Sequence, residues 1–377
     1  MKVLFISDHL EEVNGAGSLS RSHLKTLNEL SGPENVYTIN ITEEKGTELR
    51  QDNTFTISPY NTKIGKLRNL LLLNHVRMNN SIIRKSISII KSYSIDYVFI
   101  DESYFGTLVM SIKNQINIPI YAFYHDVKAV LFREWIKKER KRRMLEFAVG
   151  ILNEKITQKY ATYNITLNER ENTNFFNAYG KNADFNLPII LKSHPNLYLN
   201  ERNKLKLRLG FLGVYYYPNI QGITWFCEKV MPLIEDKADL LVAGRGMQVL
   251  EKTLMSFSKK IKVRGMVESL DEFYSSVDVI IAPIFEGAGM KVKTAEAFSY
   301  GKCFIGSKES LIGYKENIVN AGLEEYVYEC NTSDDYISAI NYLNEHLETN
   351  AISKIQEHFE LLYSQSAAIN LLRKYLI

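Results

Sequence analysis

The stretch from Val277 to Ser307 constrains most of what this 377-residue chain can fold into. It spells strand, small-residue turn, helix, strand. Val277-Asp278-Val279-Ile280-Ile281-Ala282 is a nearly unbroken apolar run, as in a parallel strand buried on both faces. Pro283 to Lys291 then carries Gly287-Ala288-Gly289. Val292, Ala295, Ala297 and Phe298 fall on one face of a helix, and Gly301 suits its C-terminal end. Cys303–Ile305 begins the next strand, and Gly306-Ser307 closes its turn.

Such a junction is suited to holding an anion. Glycines let backbone N–H groups approach phosphate oxygens, and a helix start carries about half a positive charge. The N–H groups of Gly287, Ala288, Gly289 and Met290 are therefore candidate contacts. Lys291 and Lys293 put two cations in the first turn, where cations are disfavoured unless an anion neutralises them. Glu296, five residues past Lys291, can accept hydrogen bonds from a diol such as a ribose edge. A loop–helix junction with solvated lysines is the plain alternative.

The same strand-then-helix pattern recurs along the chain. Lys2–Ser7 is a short apolar strand, followed by Asn14-Gly15-Ala16-Gly17 and then by Leu19, His23, Leu24, Leu27 and Leu30 at helical spacing. Gly15, Ala16 and Gly17 are thus expected at a turn. The third glycine of a dinucleotide fingerprint is missing, since position 20 is Ser, which argues against NAD. Val36–Ile39 is a second strand, and Lys63 to Lys91 is expected as one long basic helix. Tyr97–Ile100 ends in Asp101-Glu102-Ser103, and Pro119–Phe123 ends in Tyr124-His125-Asp126. Open α/β sheets place ligands just past strand ends, so Asp101, His125 and Asp126 become candidates. Asp126 as a helix cap beside a bystander His125 remains open. Tyr163–Leu167 is another strand. Leu187 to Leu205 lacks periodicity and is expected to hold the linker.

A second domain is expected to open with Leu207–Leu212 and Gly213, then Tyr215-Tyr216-Tyr217-Pro218-Asn219 and a helix with Pro218 at its first position. Leu240–Ala243 runs into Gly244-Arg245-Gly246, and Ile261–Val263 into Arg264-Gly265-Met266-Val267. Arg245 and Arg264 join the candidates as strand-end cations. Ile352 to Ile377 is expected to be helical. The divisions are 1–190, a linker at 191–206, 207–350, and a terminal helix at 351–377.

Residues 283–307 resemble the donor-site signature of retaining glycosyltransferases of the GT-B fold, glycosyltransferase family four, on Glu286, Gly287, Gly289, Glu296 and Ala297. The family's usual pattern places seven residues between two glutamates; here Glu286 and Glu296 are separated by nine. Glu296 matches the second, ribose-binding glutamate, and either Glu286 or Ala288 stands at the first. A subset with a Gly-x-Gly-x-Lys/Arg-x-Lys version is similar to this chain, as are Gly213 and the Pro218-Asn219 pair. The resemblance implies a GT-B α/β protein, two Rossmann-like domains facing across a cleft, with a UDP- or GDP-linked sugar as donor. It implies retention, Gly15–Gly17 beside the donor diphosphate, Gly265, Met266 and Val267 at the base, and His125 near the transferred sugar or acceptor. It also implies a C-terminal helix that crosses back to the first domain. Usual members carry Arg and Lys after the strand that ends at Gly213; without them, Lys291 and Lys293 are expected to supply that charge. The chain has no Asp-x-Asp element, so metal independence is expected, with Lys291 and Glu286 as catalytic candidates beside His125. The breadth of the family implies a saccharide or lipid-linked acceptor and surface polysaccharide assembly. A sugar-nucleotide epimerase or hydrolase, or a non-catalytic binding module, remains the alternative.

Composition narrows the class. No apolar run approaches the roughly 20 residues that span a bilayer. Cys227, Cys303 and Cys330 are odd in number and widely spaced, which fits reduced thiols in the cytoplasm. The net charge is +3, but residues 1–195 hold 26 Lys and Arg against 20 Asp and Glu. That bias suggests an anionic partner, such as a peripheral membrane surface, for the first half. Arg133–Arg143, with Phe132, Trp135 and Ile136, is the expected membrane-facing helix; a solvated charged face is its alternative. No nucleic-acid motif is present, so no nucleic-acid partner is expected.

Overall fold

A computed structural model of the protein describes residues 1–377 apart from 13–14, 45, 61, 138–142, 195–205, 288, 348–350 and 377. The chain divides into two compact units, Met1–Ile190 with Ala368–Ile377, and Leu191–Ala367. Each is a twisted sheet flanked by helices.

The first unit contains β1 (Val3–Ser7), β2 (Val36–Ile41), β3 (Glu48–Gln51), β4 (Thr54–Ile57), β5 (Tyr97–Ile100), β6 (Ile120–Tyr124), β7 (Tyr163–Thr166) and β8 (Phe185–Asn186). Their order is β3-β4-β2-β1-β5-β6-β7-β8, parallel except for β3 on β4. Every residue of β1, β5 and β6 is buried, as their unbroken apolar runs require. The order reverses between β1 and β5, so their C-terminal ends splay into a crevice.

The second unit contains β9 (Leu207–Leu212), β10 (Ala238–Ala243), β11 (Ile261–Val263), β12 (Val279–Ala282), β13 (Cys303–Gly306) and β14 (Val327–Glu329). The order β11-β10-β9-β12-β13-β14 is wholly parallel and matches that of a dinucleotide-binding sheet. Its switch point lies between β9 and β12. The loop that follows β12 is the Gly287-Ala288-Gly289 segment.

Local signals explain most helix ends. Asn168 accepts from the Glu171 N–H and caps the helix Glu169–Tyr179, which ends on Gly180 at φ 73°. The helix Val292–Ser299 ends in a Schellman arrangement: the Gly301 N–H donates to the Phe298 carbonyl and the Lys302 N–H to the Ala297 carbonyl. Pro218 sits one position deeper than expected, since the helix runs Tyr217–Lys229 from Tyr216 as its cap.

Three helical expectations need correction. Lys63 to Lys91 is not one helix but two, Lys63–Leu71 and Asn80–Tyr93. Leu73 adopts φ 58°, and the Asn79 side chain caps the second helix by accepting from the Ile82 N–H. The C-terminal stretch is likewise two helices, Ala351–Leu362 and Gln365–Leu376. Ser364 separates them, its Oγ accepting from the Ala367 N–H. Only residues 368–377 belong to the first unit, where the Tyr375 ring stacks on Phe185 and its carbonyl accepts from Tyr121. Gly15, Ala16 and Gly17 are not a turn; they form the first turn of the helix Gly15–Ser31.

Candidate functional site

In the second unit, the crevice residues hang on a ladder of loop contacts. Past β9, the Gly213 N–H donates to the Ala243 carbonyl; past β10, the Gly244 N–H donates to the Gly265 carbonyl. Gly244 lies at φ 133°, and a Cβ there would sit 1.9 Å from the Gly213 oxygen. Three strand ends can therefore close together only on glycine. Arg245, Arg264 and Met266 are exposed at this rim, while Gly265 and Val267 are half-buried.

The Pro283–Lys291 loop is anchored from below. Ser307 Oγ donates to the Ile284 carbonyl and Ser310 Oγ to the Ala282 carbonyl. Met290 is buried, and Gly287 and Gly289 hold φ 144° and 67°. Glu286 and Gly287 are exposed, and Ala288 lies outside the described residues.

The lysine expectation is corrected here. Lys291 is the cap residue rather than part of the first turn, and its charge is met: Nζ lies 2.7 Å from Glu309 Oε1 and donates to the Gly289 carbonyl at 3.1 Å. Its position therefore does not by itself demand an anion. Lys293 is the telling group. Its Nζ donates to Asn219 Oδ1 at 2.8 Å and lies 4.5 Å from the centre of the Phe211 ring. Burial, reinforced by Lys291, pulls this amine down to about 7, against the pull of Glu296. Asn219, Lys293 and the loop thus meet at the switch point.

Glu296 is half-buried, and Tyr274 donates its hydroxyl to Oε2 at 3.0 Å. Burial raises the Glu296 carboxyl while Tyr274 and Lys293 lower it, with a net rise. The Tyr274 ring stacks on Tyr300 with centroids 4.1 Å apart, and Tyr300 donates to Asp271. Tyr274 and Glu309 were not identifiable in the sequence. They stand 22 and 18 residues from their partners, beyond any local spacing rule.

In the first unit the crevice holds a buried charge cluster. Asp101 is fully buried, and its oxygens accept from Ser7 and Ser20 and pair with His23 Nδ1 at 2.7 Å. Burial would raise this carboxyl, but His125 and His23 hold it well below the usual carboxylate range. Asp101 is thus committed to internal partners, contrary to its expected role as a ligand contact. His125 sits beside it, 7% exposed, with Nε2 3.2 Å from the Asp101 carbonyl oxygen. Asp126 is half-buried, 3.8 Å from Lys128. Gly17 is pressed against the preceding loop, where a Cβ would lie 2.0 Å from the Glu12 carbonyl oxygen.

Asp8, His9 and Glu102 bring one ligand atom each within 4.8 Å of one another, a donor set that could hold a metal ion. Two nitrogen groups converge on Glu102 within it. His9 Nε2 is 3.0 Å from Glu102, and Lys128 Nζ is 3.3 Å from the same oxygen. Burial works against the His9 charge, but Asp8, Glu102 and Glu12 push the imidazole up to about 11. The position of His9 directly past β1 was the available clue to this cluster.

The expected membrane-facing helix is also revised. Residues 138–142 lie outside the described residues. Phe132 and Trp135 turn inward, with ring centroids 4.9 and 5.6 Å from Phe147.

Comparison with known proteins agrees on architecture. Solved structures that superpose over the whole chain include sucrose-phosphate synthase from Thermosynechococcus elongatus, with TM-score 0.67 and 13% identity, covering 100% of this chain and 98% of that one. Anabaena Alr3699/HepE in complex with UDP gives TM-score 0.67 and 14% identity over 100% and 99%. The lipopolysaccharide outer core galactosyltransferase WaaB gives 0.66 and 14% over 99% and 98%. The fold is GT-B. The family model of group 1 glycosyl transferases matches residues 206–346, the portion with the switch-point loop. Among curated proteins, none matches this chain.

Proposed function

We propose that this GT-B protein is a glycosyltransferase of the family-four kind, moving a hexosyl group from a UDP- or GDP-linked donor to a saccharide or lipid-linked acceptor. The observation that carries the proposal is Lys293: a desolvated amine at a helix start, beside a glycine loop, at the switch point of a 3-2-1-4-5-6 sheet. Such an amine gains most when a phosphate oxygen arrives to share its proton. The diphosphate would lie across the N–H groups from Gly287 to Lys291, with Lys291 exchanging part of its Glu309 contact for phosphate. Glu296 would take the ribose hydroxyls through the oxygen that Tyr274 leaves available. The 265–267 rim would face the base, and Arg245 and Arg264 would add positive potential. Support for UDP comes from HepE, solved with UDP and with UDP-glucose.

In the transfer, the bond from the anomeric carbon to the phosphate oxygen breaks and the acceptor oxygen takes its place. The acceptor proton leaves on the departing diphosphate. Loop N–H groups and lysines stabilise the charge growing on that diphosphate. His125 would orient the sugar or acceptor, and retention follows if the acceptor attacks from the face the diphosphate leaves. The three cysteines are free and buried, in keeping with a cytoplasmic enzyme of polysaccharide assembly.

A thermal-shift screen with UDP, GDP, ADP and their sugars tests the donor. Stabilisation by one nucleotide and its sugar is expected; no shift with any of them would remove the basis of the proposal. Transfer should continue undiminished in EDTA, since the lysines supply the charge a metal would; activity lost to EDTA and restored by Mn²⁺ would refute this. Tyr274→Phe keeps the stacked ring but removes the donor to Glu296. We expect it to weaken ribonucleotide binding about 5- to 10-fold, the net worth of one ordinary hydrogen bond. The 2′,3′-dideoxynucleotide should bind both proteins equally, and calorimetry with the pair decides. Exposed Glu286 and the missing Arg/Lys pair past Gly213 favour, as the second reading, an epimerase, a hydrolase or a silent binder. Incubation with donor alone separates these, since only the first two consume it.

A further inference from the structure

The segment that carries His125 is held on its buried side by a carboxylate from another helix. The helix Lys128–Lys137 follows His125-Asp126-Val127 at once, and the Val127 carbonyl accepts from the Val130 and Leu131 N–H groups. Val127 is therefore the cap residue. A valine side chain cannot accept from the N–H groups that a helix start leaves without partners. Val127, Lys128 and Ala129 are all buried, so solvent cannot serve their N–H groups either. Two carboxylates do so instead. Glu171 Oε2 accepts from the Val127 N–H at 3.0 Å. Glu154 accepts from the Lys128 N–H through Oε2 and from the Ala129 N–H through Oε1, both at 2.8 Å.

Glu154 also reaches a second strand end. It is fully buried, on the helix Met144–Tyr160. Ser103 Oγ donates to Oε2 at 2.7 Å, and the Tyr179 hydroxyl donates to Oε1 at 2.6 Å. Each oxygen thus takes one backbone N–H and one hydroxyl, which fills the acceptor capacity of a carboxylate. Ser103 lies just past β5, and Lys128 and Ala129 lie just past β6, so one side chain ties the two ends together. Two contacts on the crevice side depend on that tie. His125 Nε2 meets the Asp101 carbonyl oxygen, and Lys128 Nζ meets Glu102.

We propose that Glu154 is a positioning residue for the transfer, fixing the His125 imidazole and the Lys128 ammonium against the Asp101-Glu102 end of β5. It touches neither donor nor acceptor. The proposal rests on the reading of His125 as the group that orients the sugar or acceptor. The geometry sets its sensitivity to an amide. A glutamine at 154 turns its NH2 toward a backbone N–H whichever way it flips, donor against donor. Lys128 or Ala129 must then withdraw, and His125 moves with them. A misplacement of about 1 Å costs about 100-fold in rate.

Two measurements on the full chain test this. The first is NMR of labelled histidine rings without any substrate, so its outcome does not depend on the transfer reading. Glu154→Gln should shift the His125 resonances, assigned by their loss in His125→Gln, and leave those of His194 and His358 in the second unit in place. The second is transfer kinetics. Glu154→Gln should lower kcat about 100-fold with the donor KM within about twofold, because the contacts proposed for the nucleotide lie in the second unit. Ile90→Ala, a core deletion in the helix Asn80–Tyr93, should lower the melting temperature yet leave kcat within about twofold. If Glu154→Gln does not fold, Tyr179→Phe repeats both measurements, since it removes one donor without opposing another; a smaller His125 shift and a kcat loss of about fivefold are expected. Unmoved His125 resonances would overturn the proposal. So would a kcat that falls no further than in Ile90→Ala, since Glu154 would then be a helix cap alone. A shifted His125 in a protein whose wild type transfers no sugar would support the hold of Glu154 on the imidazole and remove the glycosyltransferase reading instead.

Discussion

At pH 8, UDP or GDP should draw about one proton from solution for each molecule bound, and Lys293→Met should abolish that uptake while weakening binding about 100-fold at pH 6.5. Burial holds the free Lys293 amine at about 7, so at pH 8 it is mostly neutral. A diphosphate beside it favours the ammonium form and raises its value above the working pH. Binding must then bring the proton in. Below pH 7 the amine is protonated both before and after binding, and this uptake vanishes. Above pH 7 affinity should fall by up to about tenfold per pH unit until the bound-state value is reached. Calorimetry in two buffers of different ionisation enthalpy reads the uptake directly. Equal enthalpies in the two buffers for wild type would eliminate Lys293 as the diphosphate partner.

The free protein supplies the matching control. A lysine depressed below its unfolded value makes the unfolded chain bind more protons between about 7 and the ordinary lysine range. Its contribution to stability is therefore unfavourable at pH 7 and below, and relaxes as pH rises. Lys293→Met should be more stable than wild type at pH 6.5, with the gap narrowing toward pH 9.5. A variant that binds nucleotide poorly yet melts later has lost a ligand contact, not its fold.

What the sequence disclosed depended on how local the signal was. Unbroken apolar runs such as Val279–Ala282 and Ile120–Tyr124 announce buried parallel strands, because burial on both faces leaves no room for alternation. The hairpin at the sheet edge escaped notice for the opposite reason: Glu48, Leu49, Arg50 and Gln51 are all exposed, so nothing periodic marks them. The long helix from Lys63 was misjudged because five consecutive residues from Asn69 to Leu73 look helical, although Leu73 takes a left-handed backbone and Asn79 starts a new cap. At the site, the glycines and lysines of the 287–293 segment were visible. Their partners were not. Glu309 neutralises Lys291 and Tyr274 holds Glu296 across turns of chain that only the closed sheet brings together. Asp101 looked like a ligand contact because it follows a strand; its carboxylate is instead consumed by Ser7, Ser20 and His23.

Gly222→Ala should be among the most damaging single methyls in the second unit. Gly222 lies buried in the helix Tyr217–Lys229, and an added Cβ would sit 1.7 Å from the carbonyl oxygen of Pro283. The obstacle is backbone, so no rotamer change relieves the clash; the helix or the start of the glycine loop must move by more than 1 Å, as ordinary contact needs about 3 Å or more. Overpacking of this kind costs about 3 kcal/mol or more, which lowers the melting temperature of a unit this size by roughly 6–12 °C. Because the displaced atom belongs to Pro283, nucleotide binding should fall even where the unit remains folded. Gly289→Ala separates strain from clash. Gly289 has φ 67° but open space around its Cβ direction, so the alanine costs only the left-handed backbone penalty, about 1–2 kcal/mol. Differential scanning calorimetry of the two variants, with and without nucleotide, reads both terms. Equal melting temperatures for Gly222→Ala and wild type would mean that the helix does not press on the loop, and that the close approach at the switch point is not what shapes the phosphate site.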